Sequence, residues 1–562
     1  MQLRLTSSLP HQAASSYRSV ELHSREDQGI GDVMRVAVVG SGPAGISCSR
    51  ALTRRGIKVT ILDVGEELDA ERQKIVKELS SSSPDKWDPQ GVRAITENAT
   101  VANRAIPKKL VFGSDYLYGG DRSYAPLEVS GVGTSPTFAR GGYGVAWGAS
   151  ILPAADCDMN GWPISRADLA ESYKRVLSDL PLSAASDSLL SEFPLYAKSF
   201  DRLELPRQAR ELLSDLGRAY ASIPNATFTY GQARLAVRAT DNDRGRGCMY
   251  CGMCLSGCVF GAIHNFEQDV RILEMTGKAE YHSGLLVERL EEVGDQVRVT
   301  CRRVATGETV EAYFERVFVA AGALNTTRIM LLSSNLFDQP VHLKDSQKFL
   351  VPFLRWRRTK LEWPHINTLA ALFIELKVPE VSDHWVHMQI SSVNDYVMQR
   401  LGISVEEKSL RKRCLEPALE RLMVAWCGLH SDHSSAVELR LSGVPVQGRH
   451  VLKLVSVENP ATQDTIVRVT KAMTRHGITF GALFASFLRQ ISAIGGGNHV
   501  GGSFPMCGRP SRTLASDVLG RPAGWSRVHL VDSTVFPTIP GTTIALLIMA
   551  NADRIASSAP LA

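Results

Sequence analysis

The 562-residue chain has no apolar run long enough to span a bilayer. Its most apolar stretch, Ile478 to Leu488, lies between His476 and Arg489 and reads as a buried helix. The first 33 residues are polar, with charges at Arg18, Glu21, Arg25, Glu26 and Asp27, and lack the apolar centre of a secretion signal. They read as a flexible or partner-facing extension of a cytoplasmic protein. Neither sign of charge is in excess: 63 Lys and Arg against 58 Asp and Glu leave +5, spread along the chain. That balance argues against nucleic acid or a membrane surface as partner. One small basic cluster, Arg355 to Lys360, reads as a solvated face. Cysteine is scarce, and ten residues do not make a disulfide framework at this length. Four are bunched between 248 and 258 and the rest scattered, which suggests a reducing compartment and one special site. There is no internal repeat or low-complexity tract. What remains is an ordinary globular composition, 44% apolar and 22% charged, long enough for two domains or one large domain with insertions.

The most informative stretch is Arg35 to Gly65, RVAVVGSGPAGISCSRALTRRGIKVTILDVG. Val36 to Val39 is a β-branched run suited to a buried parallel strand. Gly40, Gly42 and Gly45 then give G-x-G-x-x-G at a strand-to-helix turn. Gly40 permits the turn, Gly42 lets the backbone approach a pyrophosphate, and Gly45 lets the helix pack on the strand. The helix runs to about Arg55 and ends at Gly56. A second strand, Lys58 to Leu62, closes on Asp63, 23 residues after Gly40, where a ribose hydroxyl would be held. The pattern predicts nucleotide binding on an α/β fold.

Further blocks follow. A glycine-rich segment, Ala139 to Ser150, leads through a Trp162-Pro163 breaker to a helix from about Arg166, capped by Ser165. Leu285 to Leu290 and Gln296 to Arg302 flank Gly294 as a hairpin. Val317 to Ser334 reads as strand, glycine turn and helix. Between about 345 and 490, alternating strands (Trp385 to Ser392, Ala436 to Leu441) predict an antiparallel sheet that could cover a ligand. The last helix-like run is Ile544 to Ile555.

His499 lies in G-G-G-N-H-V-G-G-S. A histidine among glycines has a backbone free to approach a cofactor, and imidazole titrates near neutrality, as a general base requires. His387 is a second-tier candidate for substrate contact. Cys248, Cys251, Cys254 and Cys258 give C-x2-C-x2-C-x3-C, a spacing used to ligate iron–sulfur clusters, with Val259 in place of the usual Pro. A zinc site and a tight metal-free cysteine loop are the alternatives. The other six cysteines read as small buried hydrophobes.

In series, VVGSGPAG…ILDVG, GGYGVAWGAS, GWPISRADLAESY, VAAGALNTTRIMLLSS and NHVGGSFPM…HLVDSTVFPTIPGTTIALLIMANADRIA resemble the glucose–methanol–choline family of flavin oxidoreductases. The resemblance covers Arg35 to Ile555 and is weakest between 345 and 490. It implies a doubly wound FAD-binding, Rossmann-like domain from 34–160, 235–345 and 490–562. A substrate domain, 161–234 and 346–489, would carry an antiparallel sheet covered by helices. It implies FAD, with Gly40, Gly42 and Gly45 at the pyrophosphate, Asp63 at the adenosine ribose and Val287 at the adenine. Gly141, Gly142 and Gly148 would pass beside the flavin. Asp532 and Ser533 would reach the phosphate and ribityl chain, and a helix from near Thr543 would point its N-terminus at the flavin. It implies oxidation of a primary or secondary alcohol, a sugar or polyol favoured, to an aldehyde or ketone, with His499 as base. Another redox or lyase step on a biosynthetic substrate is the alternative. The family's second His or Asn before a proline is Ile539 here, leaving Thr543 or Asn498 as polar contacts. The cysteine segment also resembles that of cluster-bearing sugar dehydrogenases, which implies a 3Fe-4S or 4Fe-4S cluster and an electron-acceptor protein. Similar segments occur in relatives without a cluster.

Overall fold

The computed structural model describes residues 34–97, 109–118, 122–220, 227–402 and 410–561. The N-terminal extension lies outside them. The described residues form a mixed α/β protein built on four sheets. The first is parallel, with five short strands ordered Val528–Leu530, Arg316–Val319, Val36–Val39, Val59–Leu62 and Ala279–His282. Val36–Val39 sits at its centre, entirely buried, as its β-branched run demands. The helix Pro43–Arg54 packs behind it against the last helix, Ala545–Ser558. Ser165 and Asp168 form the capping box of the helix Arg166–Asp179.

A three-stranded meander follows, Leu285–Val293, Gln296–Arg303 and Thr309–Phe314. The expected hairpin is its first pair, turning at Gly294 (φ +63°). The third strand was not anticipated from the sequence.

The region from 345 to 490 departs from expectation. Its two anticipated strands belong to different sheets. Ser382–Ser391 lies in a seven-stranded antiparallel sheet, between Leu372–Val378 and Leu422–Gly428. Ala436–Leu441 lies in a five-stranded sheet beside Val341–Asp345, which also pairs with Val500–Gly501. Alternation reports which face of a strand is buried, not which strand lies next to it.

One face of the seven-stranded sheet carries Phe228, Phe349, Ile374, Met388 and Cys427. It is covered by the helices Ala461–Thr479 and Arg207–Ala219, whose Leu212, Leu216, Val469 and Met473 complete that core. The opposite face turns toward the parallel-sheet half, and its Phe373 and Trp385 join the main core.

Three other expectations are corrected. Ile478 to Leu488 is not a buried helix. The helix ends at Thr479, Gly481 turns the chain (φ +74°), Ala482–Phe484 forms an edge strand, and Phe487 is 85% exposed. Arg355 is not on a solvated face. It is 1% exposed, with Nη2 2.6 Å from Asp215 and Nη1 3.2 Å from Glu211. Of the six scattered cysteines only Cys48, Cys301 and Cys427 are buried; Cys157 and Cys507 are partly so and Cys414 is exposed.

Candidate active site

The three glycines of the first turn do three different things. Gly40 adopts φ +95°, and a Cβ there would lie 2.6 Å from the Ala320 carbonyl oxygen, so the turn is pressed against the neighbouring strand. A Cβ on Gly45 would lie 2.0 Å from the Gly40 oxygen, which makes Gly45 the helix-to-strand contact. Gly42 is different: the nearest protein atom to its Cβ would be 3.9 Å away. Protein packing does not require glycine there. The bare backbone faces a cavity of about 450 Å³.

Asp63 lies at the end of its strand in the same wall, partly open to the cavity. Its Oδ2 accepts from the Ser41 hydroxyl and from the Tyr281 hydroxyl at 3.3 Å. Burial pushes the carboxyl up to about 6, against those hydrogen bonds. Val287, Gly142 and Gly148 also stand in the wall, as do Asp532 and Ser533. Gly141 does not: it holds the preceding turn at φ +85° and donates its N–H to Ser41 Oγ at 2.9 Å.

Three helices begin at this cavity. The first residues of Pro43–Arg54, Ala323–Ser333 and Ala545–Ser558 all line it, and none of the three has a side-chain cap. Their first-turn N–H groups and positive dipole ends favour an anionic, electron-accepting ligand. Glycine-bared backbone, a buried acid and uncapped helix starts together fit a pyrophosphate-bridged dinucleotide.

Several expected contacts are already engaged by the protein. Asp532 accepts from Gly322 N (3.0 Å) and Thr326 Oγ1 (2.5 Å) with one oxygen, and from Thr534 N (3.0 Å) and Oγ1 (2.8 Å) with the other. It thereby locks the start of the Ala323 helix. Ser533 Oγ donates to the Val500 carbonyl at 2.7 Å. Thr543 Oγ1 donates to the Ser150 carbonyl at 2.7 Å, outside the cavity wall, and the helix begins two residues later at Ala545. Asn498 is in the wall at φ +55°, its Oδ1 accepting from Thr134 Oγ1 at 3.1 Å.

His499 follows Asn498 in the wall. The residue is partly open to the cavity, while its Nδ1 is buried without a partner among the described residues. Burial lowers the imidazole well below its usual range, and electrostatic interaction with Lys348 and with His387 lowers it further. A neutral imidazole at neutral pH can accept a proton. Ile539, where a second polar side chain was absent from the sequence, is fully buried, its backbone paired with Ser431.

The four-cysteine loop lies beside this cavity. Lys109, in the cavity wall, interacts electrostatically with Cys254 and Cys258. Asn367 Nδ2 donates to Cys248 Sγ (3.5 Å), Thr368 N to Cys254 Sγ (3.4 Å), and the Met253 N–H to Cys251. Burial pushes the Cys251 thiol up to about 12 and raises Cys254 and Cys248 as well. Among the described residues, the four thiols do not include three whose sulfurs lie within 4.8 Å of one another. Zinc, with Zn–S near 2.3 Å, holds its sulfurs closer than that, at about 3.8 Å. A multi-iron cluster, with thiolates on different irons, spaces them more widely and takes N–H···S bonds. The donor set therefore fits a cluster better than zinc.

A second group of ligand-type side chains, His384, His430, Asp158 and Asp432, has another explanation. His384 Nδ1 is 3.3 Å from Asp158 and Nε2 3.6 Å from Asp432. Against the lowering effect of burial, these hydrogen bonds raise His384 to about 11. The His384 and His430 rings stack 3.5 Å apart and 6° from parallel, so their nitrogens do not converge on one ion. The group is an imidazolium bridging two carboxylates.

Sequence reasoning passed over Arg328. It lies in the first turns of the Ala323 helix, is 6% exposed, faces the cavity, and has no hydrogen-bond or ion-pair partner among the described residues. Its signal was a lone arginine at the head of the apolar run Ile329 to Leu332. The tryptophan- and histidine-rich stretch Trp363 to His387 contributes nothing to the cavity wall.

Residues 38–70 match the NAD(P)-binding Rossmann-like domain family. No curated protein matches the chain. Among solved structures, a pyridoxine 4-oxidase from Mesorbium loti is similar at 14% identity with a TM-score of 0.55, over 93% of this chain and 98% of that one. The likeness extends to the fold along nearly the whole chain, and the matched segment is the glycine turn and Asp63. The protein therefore has a dinucleotide-binding fold.

Proposed function

We propose that the chain is an FAD-dependent oxidoreductase of the glucose–methanol–choline type, oxidising a primary or secondary alcohol to an aldehyde or ketone. The observation that carries the reading is His499, a neutral imidazole in the same cavity wall as the glycine turn and three uncapped helix starts. That cavity extends from Asp63 and Val287 to Trp147 and His499, well past the strand–helix–strand unit. Such reach suits a resident FAD rather than a dissociating nicotinamide cofactor. Bound FAD supplies the hydride acceptor. The chain's own residues do the rest. Asp63 accepts ribose hydroxyls, Gly42 and the Pro43 helix face the pyrophosphate, and the Ala545 helix start favours added electron density. His499 takes the hydroxyl proton. The test is the absorption spectrum of the purified protein, followed by anaerobic titration with sugars, polyols, simple alcohols and pyridoxine. Flavin bands bleached by one of these alcohols are expected; a protein purified without flavin overturns the reading.

The N–H···S bonds favour a second element. Cys248, Cys251, Cys254 and Cys258 would hold an iron–sulfur cluster, with Asn367 Nδ2 and Thr368 N donating to Cys248 and Cys254, and a cluster there would supply one-electron transfer towards an acceptor protein. Iron and acid-labile sulfide analysis after anaerobic purification checks it. Three or four irons per chain are expected, and less than about one removes the cluster.

A further inference from the structure

At one end of the seven-stranded sheet, Lys348–Arg355 is bordered by two short strands, Ala482–Phe484 and Gln490–Ile491. Directly paired residues share a face, and successive pairs alternate between faces. Phe353 and Phe484 are paired and buried, their rings 4.7 Å apart. The next pair, Leu354 and Leu483, points the other way, and both residues are exposed. Trp356 continues that side. Its N–H donates to the Gly481 carbonyl at 2.9 Å, and the residue is 60% exposed. Between the two short strands the chain leaves the ladder. The turn Ser486–Leu488 follows Ala485, whose N–H donates to the Pro352 carbonyl at 2.9 Å, and it leaves Phe487 85% exposed with Leu488 exposed beside it. Ile478, exposed in the last turn of the helix Ala461–Thr479, joins the same edge, its carbonyl accepting from the Gly481 N–H at 3.3 Å.

A clustered apolar surface marks an interaction site, and the charges around it identify the partner. The two segments that build this edge, Lys348 to Leu361 and Thr465 to Ile491, contain no acidic residue. They contribute Arg357, Lys360, Lys471 and Arg475, all exposed. Lys471, Arg475 and Ile478 are spaced four and three residues apart and so share one face of their helix. Glu211, Asp215 and Glu420 reach the edge from neighbouring segments, and each is paired with Arg355 or Arg358. Charge that is balanced over the whole sequence is thus positive here, because the fold brings two acid-free segments together. A second copy of the chain is a poor occupant, since a two-fold contact would set these cations against one another. Aromatic and leucine side chains on an outstanding turn, rimmed by Arg and Lys, suit a lipid surface.

We propose that this edge seats the protein on an anionic lipid bilayer: Trp356, Phe487 and Leu488 enter the boundary between headgroups and acyl chains, and Arg357, Lys360, Lys471 and Arg475 meet the lipid phosphates. Burial of the apolar side chains supplies the adhesion, and the cations select the negatively charged surface. The inference is independent of the cofactor and of the reaction.

The test is co-sedimentation of the full chain with phosphatidylserine–phosphatidylcholine vesicles and with vesicles of phosphatidylcholine alone. Binding to the first, weakened by added salt, is expected. Phe487→Ser should lower the apparent affinity by about tenfold or more, the worth of one buried ring. Replacing Lys471 and Arg475 together by Gln should lower it roughly thirtyfold, about fivefold for each charge. Bromine-labelled acyl chains should quench tryptophan fluorescence in the parent, and Trp356→Leu should remove most of that quenching. These side chains are exposed, so each variant should keep the parental melting temperature, which separates lost binding from lost fold. No sedimentation of the parent with the anionic vesicles, equal binding to both vesicle types, or Phe487→Ser binding as the parent does overturns the proposal. A dimer that Phe487→Ser makes monomeric, with no vesicle binding, assigns the edge to a second copy and overturns it as well.

Discussion

The nucleotide wall of the site and the sheet packed against the site are built by different means. The nucleotide wall uses residues close in sequence: Gly40, Gly42, Gly45 and Asp63 fall within one strand–helix–strand unit, and their work is done by backbone. The polar row of the seven-stranded sheet, which meets the site at Gly497 and His499, uses side chains from three strands, at 348, 375 and 387, brought level with Gly428 of a fourth only by register. A substitution in the first wall acts through close approach. One in the second acts through the protonation and orientation of a buried group. The largest test of that contrast is Gly42→Val against Gly45→Val. The protein leaves room for a Cβ at 42, so Gly42→Val should fold and purify without flavin. At 45 the Cβ meets the Gly40 oxygen at 2.0 Å, so Gly45→Val should lose the folded protein itself. Soluble yield and flavin content separate the two. Full flavin occupancy in Gly42→Val would remove the pyrophosphate assignment.

His499 is where the cavity wall meets the sheet, and its replacement ranks next. His499→Ala should keep its flavin but lose on the order of 10²–10⁴ in the rate of flavin reduction, the contribution of a positioned base. The pH profile sharpens this. Because burial, Lys348 and His387 lower the imidazole, the base form persists through neutrality, and the acidic limb should fall well below pH 6.5. Lys348→Met removes one lowering charge and should move that limb upward. An acidic limb at the pH of free imidazole in the parent would show that the sheet row does not act on His499.

This contrast also explains what could be read in advance. The glycine turn, Asp63, the Ser165 cap and the hairpin at Gly294 are local, and local residue order determines their geometry. Val287 was placed by resemblance and His499 by its glycine-rich setting together with the resemblance, and both stand in the cavity wall. Thr543 was not separable from its neighbours, because only the fold shows its hydroxyl bonded to Ser150. The Lys348–His387–Glu375 row was illegible. Its members are up to 39 residues apart in sequence, and only pairing register aligns them. Arg355 was misread for the same reason: its partners Glu211 and Asp215 come from a helix far upstream.

A smaller effect comes from Asp63. In the folded protein by itself its carboxyl is raised to about 6, whereas the unfolded chain titrates near 3.8. Between those values the folded empty protein holds the extra proton, so this group stabilises it below about pH 4 and that contribution is lost as pH rises through 6. Ribose hydroxyls donate to the ionised form, so cofactor affinity moves the opposite way. It should fall by about tenfold for each pH unit below 6, the consequence of one coupled proton. Asp63→Asn should abolish that slope. Flavin retention after gel filtration between pH 5 and 7 reads it, and a slope unchanged in Asp63→Asn would assign the proton elsewhere.

The smallest effect separates a group kept for packing from one kept for a ligand. Arg328 belongs to the nucleotide wall, yet it is a side chain rather than backbone. Burial lowers it to about 10, and no carboxylate is paired with it among the described residues. A buried cation without a partner is destabilising, so an apolar side chain of similar length should suit the empty protein better. Arg328→Met should therefore raise the melting temperature of the flavin-free protein. The same change should weaken flavin binding roughly tenfold, the worth of one hydrogen bond from a charged donor. A purely structural arginine would move both quantities downward together, whereas a residue retained for the ligand moves them apart. If Arg328→Met lowers the stability of the empty protein and leaves flavin affinity unchanged, Arg328 belongs to the core, and the nucleotide wall is backbone and Asp63 alone.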